Sequence, residues 1–228
     1  MKIIKAANME RFQNFAVMVY SEPGKGKTTM VRGLRGRTLL LSTDGMFSVL
    51  SGMADLDILE LDTDNPNASM LEFFKFLNAH AADYQNIVVD NLSTFQKTWL
   101  NAKGRDTKNG TPELKDYAVI DRILFDTVMA LKKYKRNVVV FAHERKVEVT
   151  REGGGVYTQF QPDLRNLDAI MGILPLVARL VVAKDKDSHP ARTLVLQPTQ
   201  ATRAKDQLIG NLETIGQMEL FKALQEEK

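Results

Sequence analysis

Residues 15–29 read FAVMVYSEPGKGKTT, and this stretch decides the fold of the chain. An apolar and β-branched run that ends at Val19 predicts a buried strand, and a glycine-rich turn follows it. Gly24 and Gly26 allow positive φ angles and carry no side chain, so that successive backbone N–H groups can converge on one anion. A helix that begins near Lys27 would add the positive end of its dipole. The stretch therefore predicts a cradle for the phosphates of a nucleoside triphosphate.

The phosphate-binding loop, residues 21–29, follows the pattern G-x-x-x-x-G-K-[ST] with one departure, because Ser21 stands where the pattern has glycine. Lys27 is expected to reach the β- and γ-phosphates of ATP, and Thr28 is expected to offer its hydroxyl to Mg²⁺. The residues of this loop predicted to contact the nucleotide are Ser21, Glu22, Pro23, Gly24, Lys25, Gly26, Lys27, Thr28 and Thr29.

Length and composition limit the class of protein to which the chain can belong. The 228 residues are 44% hydrophobic and 26% charged, which is typical of a soluble globular chain, and we expect one domain over residues 1–228. A formal charge of +3 permits a nucleic-acid partner without requiring one. The lack of cysteine excludes disulfides, thiolate-bound zinc and iron–sulfur clusters. Because no apolar run resembles a signal sequence or a membrane span, we expect a cytoplasmic protein without a membrane partner.

A second strand with a functional residue at its end spans residues 86–91, NIVVDN. In a nucleotide-binding α/β sheet, an acid at this position emerges at the carboxyl edge, where the ligand lies. Asp90 is therefore predicted to hold Mg²⁺ together with Thr28, partly through water. The alternative is an ordinary loop aspartate that happens to follow a strand.

Strands alternate with helices through the first two thirds of the chain. Further strands are predicted at residues 38–43, 57–61 and 137–142, and a helix at residues 92–102 is followed by a mobile basic loop at residues 103–110. This order predicts an α/β fold with a mostly parallel sheet and helices on both faces.

The hydrophobic period changes after Arg145. Residues 147–160 alternate around a triple-glycine tip and predict a hairpin, and residues 179–184 and 192–197 predict a second antiparallel strand pair. Met218, Phe221 and Leu224 predict a final amphipathic helix. The C-terminal third is therefore expected to add antiparallel hairpins to the parallel sheet.

This order of elements resembles the RecA-like core of P-loop NTPases. The residues that carry the resemblance are the phosphate-binding loop, Thr43-Asp44-Gly45 after one strand, the acid-tipped strand that ends at Asp90, and Ala142-His143-Glu144 after another strand. The chain is most similar to short phage-encoded P-loop proteins of that class, a group that includes single-strand annealing proteins of phage recombination. The resemblance covers nearly the whole chain.

The resemblance implies roles for residues outside the loop. Asp44 lies where RecA-like proteins carry the carboxylate that activates the attacking water, commonly a longer glutamate. His143 and Glu144 match the place that senses the γ-phosphate. Arg203 and Lys205 match basic residues that reach the nucleotide of a neighbouring subunit, which implies a homo-oligomeric ring or filament. From the residues alone, Asp44 could equally cap the turn at Gly45, His143 could be a satisfied strand-end histidine, and the two cations could be merely exposed.

Two segments near the sheet edge are candidates for contact with single-stranded DNA. Cations hold the backbone of a single strand, and aromatic faces stack on its bases. The candidate residues are Lys103, Arg105, Lys108, Arg145, Lys146, Arg151, Tyr157 and Phe160. Tyr157 and Phe160 lie three positions apart on one strand and therefore face opposite sides. At most one of them can stack on the bases of a single strand that runs along one face of the hairpin. An ordinary solvated edge hairpin is the alternative.

The sequence therefore predicts an ATP-binding and ATP-hydrolysing protein that binds single-stranded DNA and promotes strand annealing or homologous recombination in a phage, in the host cell cytoplasm. Lys27, Asp44, Asp90, His143 and Glu144 are the predicted catalytic residues. A single-strand DNA-binding protein is a further expected partner. The alternatives are a helicase-loader-type ring ATPase that acts on a protein and, with less support, a small-molecule kinase.

Overall fold

Strand β1 (Ala16–Ser21) lies near the centre of the sheet in the computed structural model, which describes residues 14–151, 153–184 and 189–226. All six of its residues are buried. It pairs in parallel with β5 (Asn137–Thr150) on one side and with β7 (Leu176–Lys184) on the other. A strand that is covered on both faces has to be apolar nearly throughout, and the run from Ala16 to Tyr20 meets this condition.

The remaining strands complete a ten-stranded sheet. They are β2 (Thr38–Ser42), β3 (Leu56–Glu60), β4 (Asn86–Asp90), β6 (Val156–Pro162), β8 (Pro190–Val195), β9 (Lys205–Asp206) and β10 (Thr214–Gly216). The order across the sheet is β10-β8-β7-β1-β5-β4-β2-β3, with β6 paired to β5 and β9 paired to β7. All pairs from β7 to β3 in this order are parallel. The pairs that involve β6, β8, β9 and β10 are antiparallel, so the predicted mostly parallel sheet with C-terminal antiparallel strands is confirmed.

Helices cover both faces of the sheet, as the sequence predicts. The α-helices are α1 (Pro66–His80), α2 (Leu92–Arg105), α3 (Leu114–Lys133), α4 (Leu167–Ile173) and α5 (Glu219–Glu226), and short 3₁₀ helices span Thr28–Gly33, Ser48–Leu50 and Ala81–Asp83. One core packs apolar residues of α1 to α4 against the sheet, and a second core packs the helix Thr28–Gly33 and α5 against the other face. Among the described residues, no helix is both long and apolar enough to cross a membrane.

Strand β5 is longer than the sequence predicts. The expected strand at residues 137–142 and the expected hairpin strand after Arg145 are one continuous element. The first half of β5 pairs in parallel with β1 and β4. Its second half leaves the parallel sheet and pairs antiparallel with β6, from Glu144 opposite Pro162 to Thr150 opposite Val156. The change of period therefore marks a change of pairing partner and burial, not a break in the backbone, because both halves are extended.

The boundary predicted for α2 is also wrong. The expected basic loop at residues 103–110 begins inside the helix, which continues to Arg105. Gly104 reads as a loop residue in the sequence, but it is buried, and a Cβ atom there would lie 2.6 Å from the Gly110 carbonyl oxygen. This glycine therefore allows a close backbone approach between the end of α2 and the following turn.

The helix that follows the phosphate-binding loop is short. It is a 3₁₀ helix of six residues, Thr28–Gly33, and Lys27 lies at its start. Six residues align few peptide dipoles, so the contribution of a helix dipole to anion binding is smaller than the sequence predicts. Affinity for phosphate in this fold therefore depends on the N–H groups of the loop and on Lys27.

Candidate functional site

The phosphate-binding loop closes over the carboxyl end of β1, and residues from the C-terminal part of the chain support it. Gly24 and Gly26 have φ angles of +74° and +101°, which agrees with the need for glycine at both positions. Gln217 Nε2 donates to Gly26 O at 2.7 Å, and Arg192 Nε donates to Lys25 O at 3.2 Å. These partners lie 191 and 167 positions away in the sequence, and local patterns contain no signal of such contacts.

Lys27 lies inside the loop. Only 6% of the residue is exposed, and burial lowers the pKa of its ammonium group. Nζ donates to Ser21 O at 3.1 Å, to Ser21 Oγ at 3.1 Å and to Glu22 O at 3.2 Å. The serine that replaces the first glycine of the pattern thus supplies a hydroxyl acceptor for the lysine. The ammonium group is held at the carboxyl end of β1, where a phosphate chain would meet it.

Thr28 and Asp90 meet across the carboxyl edge of the sheet. Thr28 Oγ1 donates to Asp90 Oδ2 at 2.6 Å. Asp90 ends β4, is 4% exposed, and has its pKa raised to about 6 by burial, while the hydrogen bond from Thr28 acts in the opposite direction. A hydroxyl and a carboxylate oxygen are the hard donors that Mg²⁺ prefers, and Mg²⁺ usually takes its remaining ligands from water and phosphates. The residues present therefore fit a magnesium ion between the chain and a bound nucleotide.

Asn91 holds the carboxylate of Asp44, and sequence reasoning did not assign it a role. Asp44 lies on the surface after β2, and its Oδ2 accepts from Asn91 Nδ2 at 3.0 Å. Its other oxygen, Oδ1, accepts from Met46 N at 3.0 Å, so Asp44 caps the turn with one oxygen and contacts Asn91 with the other. Asn91 is 1% exposed, and its Oδ1 also accepts from Thr94 N at 2.8 Å as the N-cap of α2. An asparagine three residues before Thr94 was the available signal of this cap.

His143 extends the same network. Its Nε2 lies 3.3 Å from Asn91 Nδ2 and 3.4 Å from Thr94 Oγ1, and its backbone N–H donates to Ser93 Oγ at 2.9 Å. Within the described part of the chain, His143 Nδ1 is buried without a hydrogen-bond partner. Burial and the Lys27 ammonium lower the pKa of His143, so the imidazole is neutral near pH 7. His143 is therefore not a satisfied strand-end histidine, because one ring nitrogen is left unpaired beside the site.

A sequence model of the AAA domain family matches residues 13–208, which is most of the chain. The chain belongs to the AAA domain family. This is a family of P-loop ATPases, so the prediction of an ATP-binding P-loop protein is confirmed, and ATP together with Mg²⁺ are the cofactors that the family implies. No curated protein matches the chain.

The AAA domain brings residues from three segments together at one edge of its sheet. The loop after β1 supplies Lys27 and Thr28, the end of β4 supplies Asp90, and Asp44 follows β2. Parallel strands end at the same edge, which explains why residues so distant in sequence meet. This arrangement is suited to binding phosphate through backbone amides and one ammonium group, two oxygen donors fit Mg²⁺, and a surface carboxylate is held beside them.

The side chain of Glu144 forms its hydrogen bonds with a residue outside the loop of the AAA domain. Its side chain is 2% exposed and forms a two-point ion pair with Arg179, at 2.7 Å to Nε and 3.3 Å to Nη2. The Arg179 guanidinium carbon lies 3.5 Å from the centroid of the Phe160 ring. Glu144 therefore contacts the hairpin through Arg179, and its predicted role next to the γ-phosphate would require this pair to open.

The predicted DNA-binding cations at the end of α2 lie far from the nucleotide site of the AAA domain. The helix rises about 1.5 Å per residue, so Arg105 is about 20 Å along the axis from the start of α2. Arg105 donates to Asp64 O at 2.9 Å, and Lys103 Nζ lies 5.4 Å from the Trp99 ring centroid. Lys108 is exposed on the following turn. The structure does not bring this group to the hairpin.

The cations of the hairpin lie on both of its faces. Lys146 and Phe160 are paired across β5 and β6, with Nζ 5.8 Å from the ring centroid, and Arg145 is on the opposite face. Arg151 donates to Gln200 Oε1 at 3.0 Å and lies 5.6 Å from the Tyr157 ring centroid. Phe160 has two cations at its ring, Arg179 and Lys146, whereas Tyr157 has Arg151 alone, so the Tyr157 ring is the more open of the two to a base.

Arg203 and Lys205 are bound within their own chain. Arg203 forms an ion pair with Asp168, and Lys205 Nζ donates to the carbonyl oxygens of Met171 at 3.1 Å and Gly172 at 3.3 Å. A contact with the nucleotide of a neighbouring subunit would have to replace these partners. Pro23 lies at the exposed tip of the phosphate-binding loop, Lys25 pairs with Glu22 at 3.5 Å, and Thr29 opens the 3₁₀ helix with Thr28.

Proposed function

We propose that this AAA domain couples ATP binding and hydrolysis to the binding of single-stranded DNA, and that it promotes strand annealing or homologous recombination in a phage. The observation that supports the proposal best is the continuity of β5. One strand carries His143 at the nucleotide edge and then Arg145, Lys146 and the rest of the cationic hairpin. A strand is stiff along its length, so a displacement at one end reaches the other.

Two contacts tie the hairpin to the phosphate-binding loop. Tyr20, the residue before Ser21, shares the one proton of its hydroxyl between Phe160 O at 3.0 Å and Arg203 O at 2.8 Å. Glu22 of the loop pairs with Lys146 at 3.0 Å, and this hydrogen bond lowers the pKa of Glu22. Both partners of the ion pair are largely exposed, so the pair contributes little stability and exchanges readily.

This exchange provides a physical route for coupling. A DNA phosphate that takes Lys146 leaves Glu22 with only the longer pair to Lys25, at 3.5 Å, within the loop that would hold the phosphates of ATP. ATP in the loop places negative charge near Glu22, which changes the strength of the same pair. Arg145 and Arg151 add positive charge on the hairpin, and Tyr157 offers a ring for one base.

For hydrolysis we propose roles that follow the geometry of the site. The loop amides and Lys27 hold the phosphates, and Thr28 and Asp90 would hold Mg²⁺, which supplies positive charge at the phosphate oxygens. Asp44, fixed by Asn91, orients the attacking water and accepts its proton. His143 senses the state of the nucleotide through Asn91, and Glu144 passes that state to the hairpin through Arg179.

The proposal includes assembly and partners. Arg203 and Lys205 would reach the nucleotide of a neighbouring subunit in a homo-oligomeric ring or filament, after giving up Asp168 and the carbonyl oxygens at the end of α4. A single-strand DNA-binding protein is the further partner in this proposal, and the host cell cytoplasm is its location.

The test is ATP hydrolysis measured with and without oligo-dT across a salt series. We expect oligo-dT to stimulate turnover, and we expect DNA affinity to fall steeply with salt. Lys146→Gln should reduce the slope of log affinity against log salt by about 0.7, the value for one phosphate contact on a single strand. Lys75→Gln, which removes an exposed lysine from α1, is the matched control and should leave the slope unchanged.

Three results would contradict this proposal. The first is that the AAA domain fails to bind oligo-dT even at low salt, which would indicate a partner other than single-stranded DNA. Hydrolysis that responds only to added protein would indicate the helicase-loader alternative, and turnover that requires a small acceptor molecule would indicate a kinase. Lys27→Ala should abolish ATP binding in every case, and an unchanged ATP affinity would contradict the nucleotide site itself.

A further inference from the structure

A second pocket lies at the base of the hairpin, and three arginines line it. Its volume is about 350 Å³, and its lining residues are Arg145, Gln161, Leu164, Arg165, Asn166, Leu167, Asp168 and Arg203. The arginines come from three separate segments: β5, the connection from β6 to α4, and the segment that follows β8. Asp168 is the single carboxylate among these lining residues.

This arginine pocket is separate from the nucleotide site. Leu164 and Leu167 belong to the core that packs α1 to α4 against the sheet. Met30 and Val31, which follow the phosphate-binding loop, belong to the core on the opposite face. The pocket therefore lies on the side of the sheet that α1 to α4 cover, and none of its lining residues belongs to the phosphate-binding loop or is Asp44 or Asp90.

The charge of Arg145 is not neutralised by its described partner. With the Gln161 amide oriented by its hydrogen bonds, the amide oxygen accepts from Arg145 Nε at 2.8 Å and from Nη2 at 2.7 Å. An amide oxygen is neutral, so the guanidinium keeps its full charge at the mouth of the pocket. Arg145 is also exposed, which leaves its remaining N–H groups available to a ligand.

The other two arginines differ in how firmly they are held. Arg165 is fixed by Asp121, at 2.6 Å to Nε and 3.2 Å to Nη2, and lies 5.0 Å from the Tyr117 ring centroid. Arg203 pairs with Asp168, whose side chain is 84% exposed, whereas that of Arg203 is 31% exposed. An ion pair with so exposed a carboxylate contributes little to stability, and the Asp168 side chain can rotate toward the solvent when another anion binds Arg203.

We propose that the arginine pocket binds a phosphate group, either in a nucleic-acid backbone or on a free nucleotide. Guanidinium groups match the oxygens of phosphate by paired hydrogen bonds, and three guanidinium groups from different directions suit a tetrahedral anion. The volume lies at the lower end of the range for small-molecule sites, about 300 to 1,000 Å³, and is larger than one ion needs. The pocket therefore fits a phosphate together with an attached sugar. If the phosphate is part of a nucleic acid, the inference rests on the proposed function and extends the DNA path from the hairpin to the face of the sheet.

The experiment uses a Lys27→Ala chain, which removes the ammonium group of the nucleotide site. Thymidine monophosphate is titrated by calorimetry, and fluorescent oligo-dT by anisotropy across a salt series. The pocket variant is Arg145→Gln combined with Arg203→Gln. Arg37→Gln is the control, because it also removes an arginine from an exposed ion pair, with Asp57, just before β2 at the opposite edge of the sheet.

We expect the double variant to bind the phosphate probe about tenfold or more weakly than the control, since removing a charge-assisted hydrogen bond changes affinity by at least that order. If the phosphate is that of a nucleic acid, the salt slope for oligo-dT should also fall by about 0.7 for each arginine–phosphate pair that the substitutions remove. A loss of thymidine monophosphate binding with unchanged oligo-dT binding would assign the pocket to a free nucleotide instead. Arg145→Gln alone serves as the second variant, because its partner is a neutral amide and the fold does not depend on an ion pair there.

Two results would overturn the inference. The first is equal affinity of the double variant and the Arg37→Gln control for both probes. The second is a Lys27→Ala chain that binds neither probe. If Lys146→Gln weakens oligo-dT binding while the pocket variants do not, the proposed function stands and the arginine pocket is excluded from it. If oligo-dT fails to bind but thymidine monophosphate binds through Arg145, the pocket stands and the DNA proposal fails.

Discussion

Removing one partner of the ion pair between Glu144 and Arg179 should be one of the more destabilising single substitutions in this fold, because it leaves a buried charge uncompensated. Glu144→Gln keeps the volume of the side chain but removes its charge, and it leaves a guanidinium that is only 16% exposed without a carboxylate. Breaking a buried pair in this way costs about 3 to 5 kcal/mol. Arg179 retains the face of Phe160 at 3.5 Å and Thr202 Oγ1 at 3.4 Å. We therefore expect a loss at the lower end of the range, about 3 kcal/mol.

Urea unfolding followed by circular dichroism measures this loss, and thermal unfolding checks it. A domain of this size shifts its Tm by about 2 to 4 °C per kcal/mol, so Glu144→Gln should lower the Tm by about 6 to 12 °C. The double variant with Arg179→Met removes both charges and should lose less than the sum of the single variants. Glu144→Gln should largely retain its ATP affinity without DNA, because the carboxylate forms its hydrogen bonds with Arg179 and not with a loop residue, and it should lose stimulation by DNA.

A loss below about 1 kcal/mol in Glu144→Gln, which is the size expected of an exposed pair, would refute the prediction. Strict additivity in the double variant would also refute it, since two residues in direct contact should couple.

Three further predictions follow from the loop and its neighbours. Asn91→Ser keeps a capping oxygen for α2 but removes the amide that holds Asp44. The kcat for ATP hydrolysis should therefore fall about tenfold or more, with KM little changed. Asn91→Ala also removes the cap and should in addition lose about 1 kcal/mol of stability in urea unfolding. Gly26→Ala should weaken ATP binding in a fluorescent-nucleotide titration, because φ is +101° and the new Cβ would lie 2.8 Å from Gln217 Nε2; equal affinity would show that the loop rearranges freely. Glu22→Gln should strengthen oligo-dT binding by releasing Lys146, with little effect on the Tm, and weaker binding would contradict the proposed exchange.

The strands and the nucleotide site could be predicted because their signals are local. Buried parallel strands need continuous apolar runs, and β1, β4 and the first half of β5 show such runs. The pattern around Gly24, Gly26 and Lys27 encodes a backbone conformation and one cation within a few residues. Thr28 and Asp90 could be paired because parallel strands end at the same edge of a sheet, so the fold class alone brings them together.

Other features depend on contacts that no local pattern contains. The extent of β5 is an example, since alternation after Arg145 indicates a new pairing partner but not whether the backbone breaks. Gly104 resembles a loop residue in the sequence, and only its approach to Gly110 shows a packing role. The same is true of the ion pair between Glu144 and Arg179, whose partners lie 35 positions apart in the sequence.

The sequence by itself determined the chemistry at the carboxyl edge of the sheet, because glycine conformations, a lysine and strand-end acids act over short distances in the chain. Only the tertiary structure decided which charges are free and which are paired. Arg145, Arg165 and Arg203 form one pocket, and Lys146 meets Glu22, because separate segments converge there in space. A charge interacts with whatever lies within a few ångströms, and folding alone sets that distance.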